Sequence, residues 1–244
     1  MSQVALSDPR MDGPRIGLIV PSLNTTTEPD MIRQAPVDLG FFATRVYMRL
    51  STPGDLRGMN AELDGAARLM GSLDPHIVAY ACTSGTFLDG GAALATISRR
   101  IENGAGCPVV TTSGAMLDAL RILGARQVAV ASPYPLDITG AECAFLRDNG
   151  FGVPRAEALE RTGSQIRRIT PAEITDLVRH SDHPDADAIF VSCTDLRAFE
   201  LVAALEAMVR KPVLTSNQVT LWAILRALGR RSDRPGGRLI DFHL

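Results

Sequence analysis

The sequence predicts an α/β protein made of two pseudo-symmetric, doubly wound parallel-sheet halves. Three observations predict it. Short apolar runs alternate with helix-length segments along most of the chain. Matched segments recur at one interval: RIGLIVPSLN opens at Arg15 and RQVAVASPYP at Arg126, 111 residues on. Cys82 in HIVAYACTSGT (His76–Thr86) and Cys193 in DAIFVSCTDLR (Asp187–Arg197) stand the same 111 residues apart. PVVTTSGAMLDALRILG from Pro108 and PVLTSNQVTLWAILRALG from Pro212 repeat at 104. Three matched segments in one order mark an internal duplication.

Each element has a local reason. Ile16–Pro21 is an apolar strand, and the NTTTEPD after it offers Thr and Asn caps with Pro29 in a helix's first turn. Phe41–Met48 is β-branched and aromatic, and a helix-period segment runs from Gly54 to Leu73. Ile77–Ala81 is short and wholly apolar, as in a strand buried on both faces. Val109–Thr111 leads into a helix from Gly114 to Leu123, stopped by Gly124. The second half repeats the plan, with strands at Val128–Ala131, Val153–Leu159, Ala188–Val191 and Val213–Thr215. Its helices fall at Ile138–Asp148, Pro171–His180, Leu196–Val209 and Val219–Leu228. The expected organisation is a first half of residues 15–117 plus 217–244, a second half of residues 118–216, and a flexible leader over residues 1–14.

Composition narrows the function. The 244 residues are 45% apolar and 21% charged, as in a globular protein. A formal net charge of −2 gives no reason to expect nucleic acid or an anionic membrane as partner. No apolar run approaches the ~18 residues of a membrane span, and the N-terminus lacks the pattern of a signal peptide. The four cysteines are not spaced as zinc ligands or as a disulfide framework, so a reducing cytoplasm is the expected location.

Parallel sheets hold ligands at the carboxyl ends of their strands. Here those ends carry Ser22 and Asn24, Cys82 to Ser84, Thr111 to Ser113, Ser132 and Tyr134, Cys193 and Thr194, and Ser216 and Asn217. There is no Lys or Arg among them, which suits a small carboxylate held by hydroxyls, amides and backbone N–H groups better than a phosphate. A cysteine at a helix N-terminus is expected to have a stabilised thiolate. One cysteine closing an apolar strand is commonly an inert small hydrophobe. Two at repeat-equivalent positions, each followed by Thr, point to a shared cleft and to chemistry. Cys107 and Cys143 lack that context and read as structural, and the four histidines form no ligand spacing.

These residues resemble a known family. VPSLNTTTEPD (Val20–Asp30), YACTSG (Tyr80–Gly85), SPY (Ser132–Tyr134), SCT (Ser192–Thr194) and TSNQVTLWAILRALG (Thr215–Gly229) are similar to the maleate cis-trans isomerases of the aspartate/glutamate racemase superfamily. That superfamily also contains the arylmalonate decarboxylases. The resemblance spans about Arg15 to Leu239. It implies a racemase-like fold, no cofactor and no metal, a small dicarboxylate as partner, and a homo-oligomer, dimer or tetramer. Arylmalonate decarboxylases have Gly at the first cysteine position, whereas this chain has both Cys82 and Cys193. Amino-acid racemases tend to have Cys-Asn-Thr at the first site, where this chain has Cys-Thr-Ser.

The implied activity is isomerisation of a small unsaturated dicarboxylate, maleate to fumarate being favoured. Cys82 would add to the alkene and Cys193 would act as proton donor and acceptor. Asn24, Ser22, Thr83, Ser84, Tyr134 and Thr194 would hold the carboxylates. Thr83-Ser84 also resembles the carboxylate-binding pair of the decarboxylases. Where isomerases can offer an Asn, this chain has RTGSQIRR (Arg161–Arg168), leaving Ser164 or Gln165 for that place and Arg167 and Arg168 to select a larger diacid. Leu23–Pro29 and Thr162–Thr170, with Gly163 as hinge, are the segments expected to close over the thiols. A two-cysteine racemase, a decarboxylase and a non-catalytic carboxylate-binding or thiol-sensing protein are the alternatives.

Overall fold

The computed structural model describes residues 9–244, and among these the strands form two four-stranded sheets of one design. β1 (Arg15–Pro21), β2 (Gly40–Val46), β3 (Ile77–Tyr80) and β4 (Val109–Thr111) pair in the order β2-β1-β3-β4. β5 (Val128–Ser132), β6 (Ala156–Ala158), β7 (Ala188–Val191) and β8 (Val213–Thr215) repeat it as β6-β5-β7-β8. All six strand pairings are parallel. Every residue of β3, β5, β7 and β8 is buried, which is why these strands read as continuous apolar runs. In each half the chain reverses direction across the sheet at its first strand, and a crevice opens at the carboxyl ends there.

The helices cover the sheets and set the loops. In the first half these are α1 (Pro9–Asp12), α2 (Thr27–Gln34), α3 (Pro53–Ala61), α4 (Leu63–Gly71), α5 (Thr83–Phe87), α6 (Gly90–Ala105) and α7 (Thr112–Ile122). They are followed by α8 (Leu136–Asp148), α9 (Pro171–Ser181), α10 (Val202–Val209), α11 (Ser216–Ala227) and α12 (Gly237–His243). Caps fix several starts. Thr52 accepts the N–H of Asp55 with Pro53 in the first turn, while Thr170 with Glu173 and Thr215 with Gln218 form capping boxes. Of the leader expected over residues 1–14, residues 1–8 lie outside the described residues and Pro9–Asp12 form a helical turn.

Two of the expected helices differ in their bounds, and α6 occupies a stretch for which no element was expected. The segment read as one helix from Gly54 to Leu73 divides at Glu62, whose N–H turns back to Met59 O. Beyond Cys193 the chain makes a loop and a 3-10 turn at Phe199–Leu201, so the helix expected from Leu196 starts at Val202. The loop exists because Asp195 is drawn to the other half, as described below. α7 and α11, which leave the last strand of each sheet, pack on each other, and α11 also touches α2, β3 and β4. α12 packs on α10, α11 and β8. No helix among the described residues is long and apolar enough to cross a membrane.

Candidate active site

Each cysteine is presented by a strand end. Cys82 leaves β3 in an extended conformation and caps α5, its sulfur accepting the Gly85 N–H at 3.4 Å with the Ser84 hydroxyl 4.0 Å away. Cys193, two residues beyond β7, has φ +87°, in the left-handed region that favours glycine. Holding a side-chain-bearing residue there costs on the order of 1–3 kcal/mol, a strain tolerated where position matters. The Cys193 sulfur accepts the Asp195 N–H at 3.4 Å. Both thiols are unbonded and buried, 3% and 9% exposed.

The two thiols line one small cavity between the halves, in which the closed loops leave about 20 Å³ of free volume, room for little more than a water molecule. Pro21, Leu23, Asn24, Met48, Ser51 and Ser84 form the first-half wall, and Tyr134, Ile166, Thr194 and Asp195 the other. A tyrosine attends each sulfur. The Tyr134 hydroxyl lies beside Cys193, and its ring meets Phe87 of the first half edge-on at 6.3 Å. The Tyr80 hydroxyl lies against Cys82 and donates to Asn60 Oδ1 at 2.6 Å. Gly85 is required for this packing, since a β-carbon there would stand 2.6 Å from Tyr80 Oη and 3.1 Å from Cys82 Sγ.

Six residues expected at the site do line the cavity: Cys82, Cys193, Asn24, Ser84, Tyr134 and Thr194. Three have side chains engaged elsewhere. The Ser22 hydroxyl exchanges hydrogen bonds with the backbone of Met48. Thr83 donates to Ser216 Oγ across the seam at 2.8 Å. Ser164, in the 3-10 turn Gly163–Arg168, faces an outer cleft with Leu23, Tyr47 and Arg49. Asn24 is largely occupied by structure: its Oδ1 accepts the N–H groups of Thr26 and Thr27, and its Nδ2 donates to Thr194 Oγ1 at 3.0 Å. Thr194 in turn donates to Ala81 O at 3.1 Å. These bonds tie the halves at the residue after each cysteine.

The segments expected to close lie shut. Arg167 donates to Leu23 O at 2.9 Å, joining one to the other. Thr162 Oγ1 accepts the Ser51 N–H at 2.8 Å, Gly163 turns with φ +53°, and Ile166 is buried over the cavity. Arg168 borders a separate outer cleft with Glu160 and Glu173.

Burial decides the acidities. It pushes Cys82 up to about 11 against the opposing pull of the Gly85 N–H, Ser84 and Tyr80. Cys193 rises to about 12, from burial and then from the Asp195 carboxylate beside it, with Tyr134 and the Asp195 N–H opposing. The stabilised thiolate expected from a helix N-terminus is therefore overturned in the closed cavity: desolvation exceeds what the N–H and O–H donors return. Both groups rest as thiols, and Cys82, with no carboxylate beside it, is the easier to ionise.

Three buried groups were not singled out from the sequence. Tyr80 read as strand filler. Asp195 lines the cavity, accepts from Thr25 N at 2.8 Å and Thr26 Oγ1 at 3.1 Å, and has no partner at Oδ2 among the described residues. Glu142 on α8 lies behind Cys193; its Oε1 accepts from Ser192 at 2.7 Å, its Oε2 is unpartnered, and burial pushes it up to about 8. The charge of Asp195 next to the second cysteine was the one signal available.

Two matched doubly wound halves with a thiol from each at a shared cavity define a racemase-like α/β enzyme. The chain belongs to the arylmalonate decarboxylase family, whose model matches residues 16–240, and within it to the maleate cis-trans isomerases. It is 32% identical to a maleate isomerase of Pseudomonas putida over 91% of this chain and 94% of that one. An arylmalonate decarboxylase of Bordetella bronchiseptica is also 32% identical, over 93% and 97%. Among solved structures, a maleate isomerase from Pseudomonas putida S16 with maleate superposes with a TM-score of 0.90 at 27% identity, covering 94% of this chain and 98% of that one. A Nocardia farcinica maleate cis-trans isomerase mutant with a covalently bound succinylcysteine intermediate gives 0.88 at 26%, covering 93% and 98%. The chain is thus an isomerase that works through cysteine.

Proposed function

We propose that the protein interconverts the cis and trans forms of a small unsaturated dicarboxylate, maleate to fumarate, without a cofactor. The observation that carries this reading is the pair of buried thiols from repeat-equivalent strand ends on one small shared cavity. Cys82, ionised before the loops close, adds to an alkene carbon next to one carboxylate. The other alkene carbon takes the proton of Cys193, leaving a thioether on Cys82 and a thiolate on Cys193. The former double bond is now single, so it rotates. Cys193 then removes a proton from the carbon it protonated, the double bond re-forms as trans, and Cys82 leaves as thiolate.

Both cysteines return to their starting states, so the cycle balances. Tyr134 and the Asp195 N–H stabilise the transient Cys193 thiolate; the Gly85 N–H and Ser84 do so for Cys82. Charge develops on the other alkene carbon and the carboxylate attached to it, and transfer of the Cys193 proton to that carbon neutralises it. The division of roles follows from Asp195, which holds its proton on Cys193 and makes it the acid. Incubation with maleate under reducing conditions, followed by proton NMR, tests the reading. Fumarate should appear with wild-type protein and not with Cys82→Ser; absence of fumarate with the folded wild type refutes it.

A further inference from the structure

The cavity has unlike ends. At the Cys82 end the polar side chain is the Ser84 hydroxyl, with no carboxylate among the described residues lining it. At the Cys193 end stands Asp195, 3% exposed, with Oδ1 saturated by Thr25 and Thr26 and Oδ2 without a partner. The groups facing it are Cys193 on its own loop, Tyr134 after β5, Cys82 after β3, and Arg167 on the 3-10 turn. Arg167 spends a donor on Leu23 O. Among the described residues, no cationic side chain lines the cavity itself. A ligand dianion placed here would set one carboxylate against that of Asp195 in a desolvated space, where like charges repel strongly.

We propose that the site holds its diacid as a monoanion, with one proton shared between Asp195 Oδ2 and the ligand carboxyl at the Cys193 end. This rests on the dicarboxylate reading above and adds a substrate class: anionic at one end, hydrogen-bond donor at the other. Binding of a dianion then takes up one proton from solvent, and no bond to carbon is made or broken. The Asp195–ligand pair retains one negative charge beside Cys193, so that thiol keeps its proton until the alkene takes it. Burial raises Asp195 above its ordinary value, in the direction this sharing needs. A half-amide brings its own donor to Oδ2 and needs no proton.

Titration calorimetry in buffers of different ionisation enthalpy tests this with two saturated, unreactive ligands, succinate and its half-amide. At about pH 8 succinate should bind with uptake of close to one proton, and its affinity should fall about tenfold per pH unit. The half-amide should bind without uptake. Uptake should persist in Cys82→Ser and in Glu142→Gln, which excludes the other titrating groups near the cavity. In Asp195→Asn, Oδ1 still serves Thr25 while an amide N–H faces the ligand, so succinate should bind without uptake and about tenfold tighter at pH 8. Succinate binding without proton uptake to the wild type overturns the proposal alone and leaves the isomerase reading intact. Absence of binding by both ligands, with no turnover of maleate, overturns both.

Discussion

Glu142→Gln isolates the cost of a carboxyl group sealed behind the second cysteine. Glu142 is fully buried, with one oxygen bonded to Ser192 and the other unpartnered. Its pKa rises from an ordinary 4.5 to about 8 because burial disfavours the charged form. The sign follows: the folded protein keeps a proton that the unfolded chain releases above 4.5. Stability from this group is therefore complete below pH 4.5 and declines as pH rises, until Glu142 ionises in the fold near 8. At about 1.4 kcal/mol per pH unit, the wild type gives up on the order of 4–5 kcal/mol across that window. Gln keeps the acceptor for Ser192 and cannot ionise. Urea unfolding of both proteins at intervals from about pH 5 to 8 should show the difference in stability moving in favour of the variant by about 1 kcal/mol or more per unit. Taking the difference removes carboxylates common to both, such as Asp187 and Glu173, whose lowered values act in the opposite direction. Parallel curves would refute the argument.

Three further outcomes follow from the site. Cys82→Ser should lose at least about a hundredfold in turnover while staying folded, whereas Cys143→Ser, buried on α8 but away from the cavity, should cost about 1–2 kcal/mol of stability and leave turnover unchanged. Gly85→Ala should push the Tyr80 hydroxyl off Cys82 and lower kcat by about tenfold, as read by steady-state rates beside an unaltered circular dichroism spectrum; wild-type kcat would show that Tyr80 does not matter. Alkylation of Cys82 by iodoacetamide should speed as pH rises from about 7 to 9 and be suppressed by saturating dicarboxylate, both followed by peptide mass. A rate independent of pH between 7 and 9 would contradict a thiol held protonated by burial.

The fold was readable because burial on both faces writes itself as uninterrupted apolar runs. Ala188–Val191, Val109–Thr111 and Val213–Thr215 have the bounds their composition suggests. The repeat of 111 residues then aligned the sheets and brought Cys82 and Cys193 together. What stayed hidden was side-chain direction. Ser22, Thr83 and Ser164 were chosen because they stand at strand ends or in a loop, yet a position on the chain does not say whether a hydroxyl faces a ligand or a neighbouring carbonyl. Asp195 was equally obscure, since its partners Thr25 and Thr26 lie about 170 residues away in sequence. Tyr80 sits in an apolar strand where an aromatic residue signals packing. Acidity was misread for a related reason: a helix terminus is visible in sequence, while the depth of burial that outweighs it is a property of the assembled halves.

The crossed threonines have a consequence for how a ligand gets in. Thr83 is fastened to Ser216, Thr194 to Ala81 and Asn24, and Thr112 to Thr220, all within the seam. Swinging the two halves apart like a clamshell would strip several buried polar groups of their partners at once, each at a cost of about 1–3 kcal/mol. Lifting the Arg167–Leu23 latch breaks far less. These bonds predict that the halves stay together as a single block during turnover and that a ligand enters past the latch at its edge. Duplicated ancestry supplied two facing sites; the stitching between them turned those sites into one rigid vessel whose opening is set by a few loop residues rather than by domain motion.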